Sequence, residues 1–105
     1  MHWWSLVLAG LFEIAWAMGF KFAFKNDHVV SAFTIAAMIA SFWFLWFAMR
    51  EIPVGTAYAV WTGIGAAGAA ILGVLLFKEP ATGARILCIA LILAGVAGLK
   101  LSATD

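Results

Sequence analysis

Residues 3–20 read WWSLVLAGLFEIAWAMGF and contain a single charged side chain, Glu13. A bilayer core takes about 20 consecutive apolar residues when it is crossed by a helix. The stretch therefore has the length and composition of a membrane-spanning helix. Glu13 follows Trp3 by about ten residues, and at about 1.5 Å per residue this places its carboxyl near mid-bilayer.

Three more apolar runs follow the first. The chain has 105 residues, of which 67% are hydrophobic and 10% charged, and its mean hydropathy is +1.10. Soluble domains are about half apolar and about a quarter charged, so this composition belongs to the membrane class. Four spans use up the whole chain, and we expect a single four-helix transmembrane domain over residues 1–105. The predicted spans are about residues 3–20, 29–49, 56–77 and 84–99.

The runs are better explained as helices than as strands of a barrel. A bilayer core tolerates only helices and closed barrels, and barrel strands alternate apolar with polar residues over about ten positions. These runs are continuously apolar and about twice that length. Polar and turn-forming residues mark their ends, including Lys21, Arg50-Glu51 with Pro53, Lys78-Glu79-Pro80, Arg85 and Lys100.

An oligomer is expected, because four short helices leave little room for both a charge and a substrate. Small residues recur at a spacing of four, which lets helix backbones approach closely and is one signal of a subunit interface. The basic residues are divided weakly between the two ends of the spans, so the positive-inside rule leaves two readings open. One is an N-out/C-out chain, and the other is insertion in both orientations to form an antiparallel dimer. The small-residue sets are Ala59-Gly63-Ala67, Gly65-Ala69-Gly73 and Ala90-Ala94-Gly98.

Glu13 is the leading candidate for a functional residue. A charged carboxylate at the bilayer centre costs about 2.5 kcal/mol or more, so such a residue is functional by default. The structural alternative is a neutral glutamic acid that forms a hydrogen bond with a neighbouring helix. A carboxyl group that holds either a proton or a cation, but not both, is the minimum requirement for proton/cation exchange.

Residues at helical spacing suggest how a cation would be held. Gly10 and Trp16 flank Glu13 at positions i−3 and i+3, where they share a helix face with it. Gly10 leaves space beside the carboxyl, and the indole of Trp16 offers a π face to a cation. On the third span, Tyr58 and Trp61 also lie three apart and carry two hydrogen-bond donors that could orient the carboxyl.

Two long motifs resemble the small multidrug resistance family. Residues 10–17, GLFEIAWA, ending at Lys21, are similar to the first helix of that family, and residues 53–66, PVGTAYAVWTGIGA, to its third. The likeness covers nearly the whole chain, including FKEP at residues 77–80. Trp16 and the string at 61–63, WTG, resemble the guanidinium-exporter subtype.

The resemblance implies an antiparallel, dual-topology homodimer in the bacterial inner membrane that exchanges protons for guanidinium-type cations. It also implies that the two Glu13 carboxyls share one central pocket. By the same resemblance, Trp16, Tyr58 and Trp61 line the pocket or hold the glutamate, and Ser41 forms a hydrogen bond with it. Gly63 and Gly65 match the point where the third helix bends.

Guanidinium is a chemically suitable substrate for one carboxylate. It is planar and permanently charged near neutral pH, and it pairs with a carboxylate through two parallel hydrogen bonds. Aromatic residues of the second span either face lipid or form a portal for larger relatives, such as guanylurea, substituted guanidines or biguanides. These residues are Phe42, Trp43, Phe44, Trp46 and Phe47, with Met38 beside them.

Other functions remain as alternatives. The nearest is a multidrug exporter of hydrophobic quaternary ammonium cations, and others are a cation channel and a structural membrane subunit. An enzyme is not expected, because the chain offers no nucleophile–base pair. We expect no cofactor and no metal, since His2 and His28 have no companions at ligand spacing. The net charge of +1 provides no basic surface for nucleic acid.

Overall fold

A computed structural model describes residues 3–21 and 28–102. The polar connector at 25–27 and His2 lie outside the described residues. The described part consists of four α-helices joined by short connections. They are α1 (Trp3–Phe20), α2 (His28–Ala48), α3 (Val54–Phe77) and α4 (Gly83–Ser102).

Each helix is long and apolar enough to cross a bilayer. The helices have 18 to 24 residues, which corresponds to about 27 to 36 Å at the usual helical rise and matches a hydrocarbon core of about 30 Å. The prediction of four membrane-spanning helices is therefore confirmed. Their ends lie within three residues of the expected ranges.

The turn between α2 and α3 is tight. After Ala48 the backbone continues in a turn, in which the Ile52 N–H donates to the Ala48 carbonyl at 2.9 Å. Pro53 then precedes α3, and with φ −55° it adopts the backbone angle that proline imposes. The Ile52 side chain is fully buried in the core, so the turn itself contributes to packing.

The end of α3 is capped by its own backbone. Lys78 has a left-handed conformation (φ 54°), and the Glu79 N–H donates to the Gly73 carbonyl at 3.2 Å. These are the features of a Schellman cap, and the proline that follows prevents further helix. Arg85 of α4 forms an ion pair with Glu79, which ties the start of α4 to the cap.

Helix α1 packs against both α2 and α3, whereas α4 packs along α3. Two fully buried serines link α1 to α2 in reciprocal fashion. The Ser5 hydroxyl of α1 donates to the Phe44 carbonyl of α2, and the Ser41 hydroxyl of α2 donates to the Ala9 carbonyl of α1, both at 2.7 Å. The apolar core surrounds these bonds and consists of Leu6, Ala9, Leu45, Ala48, Ile52, Ala57, Val60 and Trp61.

The protomer is a thin slab. Its Cα atoms span 46 × 34 × 16 Å, and a single helix with its side chains is about 10 to 12 Å across. No residue of α4 is buried. Of the small residues predicted on α3, Gly65, Ala67 and Gly73 are buried within the protomer, whereas Ala59 is exposed. Those of α4 lie on an open face, where Ala90, Ala94 and Gly98 are exposed.

Candidate functional site

Glu13 lies at the middle of α1. The buried residues of this helix all precede it: Ser5, Leu6, Ala9 and Gly10. The Glu13 side chain is partly buried, and its Oε1 atom is buried without a hydrogen-bond partner in the described part of the chain. The Glu13 carboxyl rests against α3 at Gly65. A Cβ atom built at Gly65 would overlap the Oε1 and Cδ atoms of Glu13.

The contact between α1 and α3 is built from three glycines, each facing a longer side chain on the opposite helix. Gly10 of α1 faces Ile64, Gly65 faces Glu13, and Gly68 faces Ile14. A Cβ atom at any of the three would be closer to its partner than real Cβ atoms approach. The glycines therefore allow the two backbones to approach closely, as small residues do in membrane helices.

A hydrogen-bonded chain crosses three helices one turn from Glu13. The Trp61 Nε1–H donates to the Ser41 hydroxyl at 2.9 Å, and that hydroxyl donates to the Ala9 carbonyl at 2.7 Å. Ala9 precedes Glu13 by four residues, so its carbonyl is the acceptor of the Glu13 backbone N–H in an α-helix. The chain thus connects α2 and α3 to the backbone turn that carries the carboxyl.

Four aromatic rings, one of them that of Trp61, form a series of contacts beside these hydrogen bonds. Phe42 lies between two tryptophans, with ring centroids 6.3 Å from Trp16 and 5.6 Å from Trp61. The Tyr58 ring is tilted by 53° against that of Trp61, with the ring centroids 5.4 Å apart, and Tyr58 is 54% exposed. The Trp16 indole N–H is buried and has no hydrogen-bond partner among the described residues. The site therefore holds an unused donor and an unused carboxyl oxygen on the same face of α1.

The resemblance implied a hydrogen bond from Ser41 to Glu13, and the structure gives the Ser41 hydroxyl a different acceptor. A hydroxyl has one proton to donate, and here Ser41 donates it to Ala9 rather than to Glu13.

Gly63 faces α4, because a Cβ atom there would meet the Val96 side chain. The helix is continuous through Gly63 and Gly65. The bend at these glycines and the pocket roles of Gly10, Trp16, Ser41, Tyr58 and Trp61 remain predictions.

Three features of the site were not anticipated from the sequence. They are the ring of Phe42 between two tryptophans, the Ala9 carbonyl as an acceptor, and the contact of Glu13 with Gly65. The i−4 relation of Ala9 to Glu13 is visible in the sequence, but no pattern indicates which side chain reaches that carbonyl. Contacts between helices depend on helix rotation, which the uniformly apolar runs leave undefined.

Two apolar grooves on the protomer surface lie away from the carboxyl. One of about 520 Å³ runs between the ends of α1, α2 and α3 and includes Phe33, Thr34 and Phe77. The other, of about 320 Å³, lies between α3 and α4. Glu13 lines neither of them. The candidate residues differ in burial: Glu13 and Trp16 are partly buried, Tyr58 is exposed, and the buried ones are Gly10, Ser41 and Trp61.

Comparison with known proteins places this arrangement in a family. The family model described as Small Multidrug Resistance protein matches residues 1–92. The guanidinium exporter of Citrobacter freundii is 56% identical over 103 residues, which cover 97% of this chain and 98% of that protein.

Two further relatives carry the same name. The guanidinium exporter of Salmonella typhimurium strain LT2 is 53% identical over 104 residues, covering 98% of this chain and 99% of that protein. The guanidinium exporter of Yersinia pseudotuberculosis is 53% identical over 103 residues, covering 97% and 99%. These relatives are named as transporters rather than enzymes. This chain, a multi-pass membrane protein of four helices, belongs to the small multidrug resistance family.

Proposed function

We propose that this protein is a proton-coupled antiporter that exports guanidinium and related small cations from bacterial cells across the inner membrane. The observation that carries the proposal is Glu13, a mid-span carboxyl with a buried oxygen that no described residue satisfies. The similarity to guanidinium exporters over almost the whole chain supports the substrate class.

The chemistry of the site fits a planar cation. A guanidinium group needs two carboxylate oxygens in one plane and gains further from an aromatic face. Glu13 supplies the oxygens, and Trp16 and Phe42 supply rings on the same side of the protomer. Burial of the carboxyl away from water strengthens the pairing, because charged groups attract each other more at low dielectric constant.

Proton coupling follows from competition for Glu13. A protonated carboxyl has no charge with which to pair a cation, and an ionised carboxylate at that depth is too costly to leave empty. Each carboxyl is therefore expected to carry a proton or share a cation. Alternate exposure of the site to the two sides of the membrane then exchanges one for the other.

A second copy of the chain completes the site in this proposal. The slab is too thin to enclose a cation, and the exposed face of α4 presents small residues suited to close packing. Two copies in opposite orientations would bring both Glu13 carboxyls to a shared centre. In that homodimer the inward- and outward-facing states are related by symmetry, so neither is favoured without a gradient.

Exchange by purified protein in liposomes tests the proposal. Vesicles with an acidic interior should accumulate radiolabelled guanidinium, because each entering cation releases protons down their gradient. Uptake that is independent of the pH gradient would indicate a channel, and no uptake would indicate a structural subunit. Either result would overturn the proposal.

Two comparisons sharpen the test. The variant Glu13→Gln keeps the shape of the side chain without its charge, and it should assemble as a dimer and show no exchange. A series from guanidinium through guanylurea to a biguanide, with a bulky quaternary ammonium dye beside it, measures specificity. Preferential exchange of the dye would replace guanidinium export with multidrug export.

A further inference from the structure

The hydrogen-bonded chain and the aromatic rings do not explain why residue 65 is a glycine. The residue is buried in α3, and the atoms nearest to a Cβ built on it would be Oε1, Cδ and Cγ of Glu13. No other glycine in the described part of the chain has the Glu13 carboxyl as its nearest neighbour. We infer that Gly65 is a positioning residue whose missing side chain forms a seat for the Glu13 carboxyl on the backbone of α3.

Helix propensity alone would favour a different residue at this position. Glycine in a helix interior is about 1 kcal/mol less favourable than alanine. A Cβ atom at Gly55, Gly95 or Gly98 would meet nothing within 4 Å. At Gly65 a methyl group would occupy the space of the carboxyl itself, so the Glu13 carboxyl would have to move before an alanine could fit.

The seat defines one of two positions for the carboxyl. Seated against α3, Glu13 has its Oε1 atom buried and without a hydrogen-bond partner among the described residues. This position suits a carboxyl without a cation. A guanidinium group that binds from the surface of the protomer would draw the carboxyl out of the seat. Bidentate pairing needs both carboxyl oxygens, and Oε1 is buried in the seated position. This step rests on the proposed function, whereas the contact between the two residues does not.

The inference predicts a specific interaction between positions 13 and 65. In Gly65→Ala the new methyl group and the carboxyl compete for one space, and the exchange rate should fall at least about tenfold. Glu13→Asp shortens the acid by one methylene and withdraws it from α3. The loss caused by Glu13→Asp should therefore be at least about tenfold smaller in the Gly65→Ala background than in the wild-type background.

The matched control is Gly68→Ala. Gly68 is on the same helix and also faces α1, but its Cβ would meet the flexible end of the Ile14 side chain. This variant alters the same helix contact without touching the carboxyl. Glu13→Asp should reduce exchange by the same factor, within about twofold, in the Gly68→Ala and wild-type backgrounds, as expected for independent sites.

A second measurement covers the case in which Gly65→Ala fails to assemble. The melting temperature and dimer content of each variant are measured in detergent. If the methyl group clashes with the carboxyl, Glu13→Ala should restore both quantities in the Gly65→Ala background and leave them unchanged in the Gly68→Ala background. This readout needs no transport, so it tests the seat even in an inactive protein.

The outcomes separate the seat from the proposed function. Equal effects of Gly65→Ala and Gly68→Ala in both measurements, with no coupling to position 13, would overturn the seat while leaving Glu13 as the exchange site. Exchange that persists in Glu13→Gln would overturn the proposed function, and the coupling in melting temperature would still stand. Coupling confined to Gly65 in either measurement supports the inference.

Discussion

At the scale of single residues, several polar side chains of the described residues form hydrogen bonds between helices, whereas the Glu13 Oε1 atom and the Trp16 indole N–H are buried without a partner there. Ser5 and Ser41 each donate to a backbone carbonyl on the neighbouring helix, and Trp61 donates to Ser41. In a medium without water, such groups are expected to satisfy one another. A carboxyl oxygen that remains unpaired at this depth is therefore available to a ligand, either a proton or a cation.

Competition between proton and substrate gives the first prediction. Substrate affinity should weaken as pH falls through the pKa of Glu13, because only the ionised carboxylate pairs with guanidinium. Well above that pKa the affinity should level off, since no bound proton remains to be displaced. Quenching of tryptophan fluorescence, with Trp16 and Trp61 as the expected reporters, measures binding from about pH 4 to 9, a range that includes ordinary and strongly raised glutamate pKa values.

The groups that could disturb this titration lie elsewhere. His28 is the first residue of α2 and lies at the end of the helix bundle, whereas Glu13 lies at the middle of α1. The variant His28→Gln should give the same pH dependence as the wild type. Affinity that stays constant over the whole range would show that substrate does not displace a proton from Glu13.

Ser41 provides the second prediction. The change Ser41→Ala removes the donor to Ala9 and leaves the Trp61 N–H unpaired in a buried position. An unsatisfied buried group costs about 1 to 3 kcal/mol, so the variant should melt at a lower temperature. Guanidinium binding should also weaken, because the variant breaks the hydrogen bonds from Trp61 through Ser41 to Ala9, which position the helical turn that carries Glu13.

Ser5→Ala is the control for Ser41→Ala. Ser5 forms an equivalent bond between the same two helices, two turns from Glu13 along α1. Its loss should lower the melting temperature and leave substrate affinity within about twofold, as for mutations at separate sites. If both serine variants bind guanidinium equally well, then Ser41 serves the packing of α1 and α2 alone.

At the scale of helices, α4 differs from the other three. Its mean hydropathy qualifies it as a span, yet none of its residues is buried within the protomer. Helix α4 packs along α3, where Val96 and Ile92 fill the space left by Gly63. Its exposed small residues, Ala90, Ala94 and Gly98, form a surface on which another helix backbone could lie closely.

A bulky residue on this surface provides the third prediction. The change Ala94→Phe should reduce the dimer fraction in detergent, because a ring prevents close approach of the partner helix. Ile39→Phe is the control, since Ile39 is a 65% exposed position of α2. Chemical cross-linking and gel filtration measure the dimer fraction. An undiminished dimer in Ala94→Phe would move the subunit interface away from α4.

Helix positions could be predicted from the sequence, whereas helix faces could not. The runs end at charged and turn-forming residues such as Arg50, Pro53 and Pro80, and these boundaries are local features. The faces depend on rotation, and a span that is apolar on all sides carries little periodic signal. This explains why Glu13 and Trp61 were identified from residue type, while the Gly65 and Phe42 contacts required the fold.

At the scale of the whole molecule, Glu13 is the exception among the charged side chains of the described residues, since the others lie near the ends of the helices. Three basic side chains lie over aromatic rings there: Lys21 over Phe77 at 4.6 Å, Lys100 over Trp3 at 5.2 Å, and Arg50 over Trp46 at 5.6 Å. Long basic side chains and aromatic rings are typical anchors at the membrane interface. Both ends of the slab carry such anchors, which is what we expect of a protomer that can insert in either orientation.

This balance gives the fourth prediction, which is that one gene product inserts in both orientations and forms an antiparallel homodimer. The variant Ser102→Cys, on a Cys88→Ala background, places one thiol at the end of α4. Lys78→Cys on the same background places it at the opposite end. A membrane-impermeant thiol reagent added to sealed cells should label about half of the molecules of each variant, because each end faces outward in half of the copies.

Added basic residues test the electrostatic origin of the dual insertion. Lysine is retained on the cytoplasmic side, so an extra lysine near one end should favour the orientation that keeps this end inside. On the Cys88→Ala/Ser102→Cys background, Glu51→Lys adds positive charge to the end that carries Ser102. Labelling of that thiol from outside should therefore fall well below half, and exchange should fall with it, because antiparallel dimers become scarce. Complete labelling of one end and none of the other in the unaltered background would show a single orientation. A partner chain of opposite orientation would then be needed to complete the site.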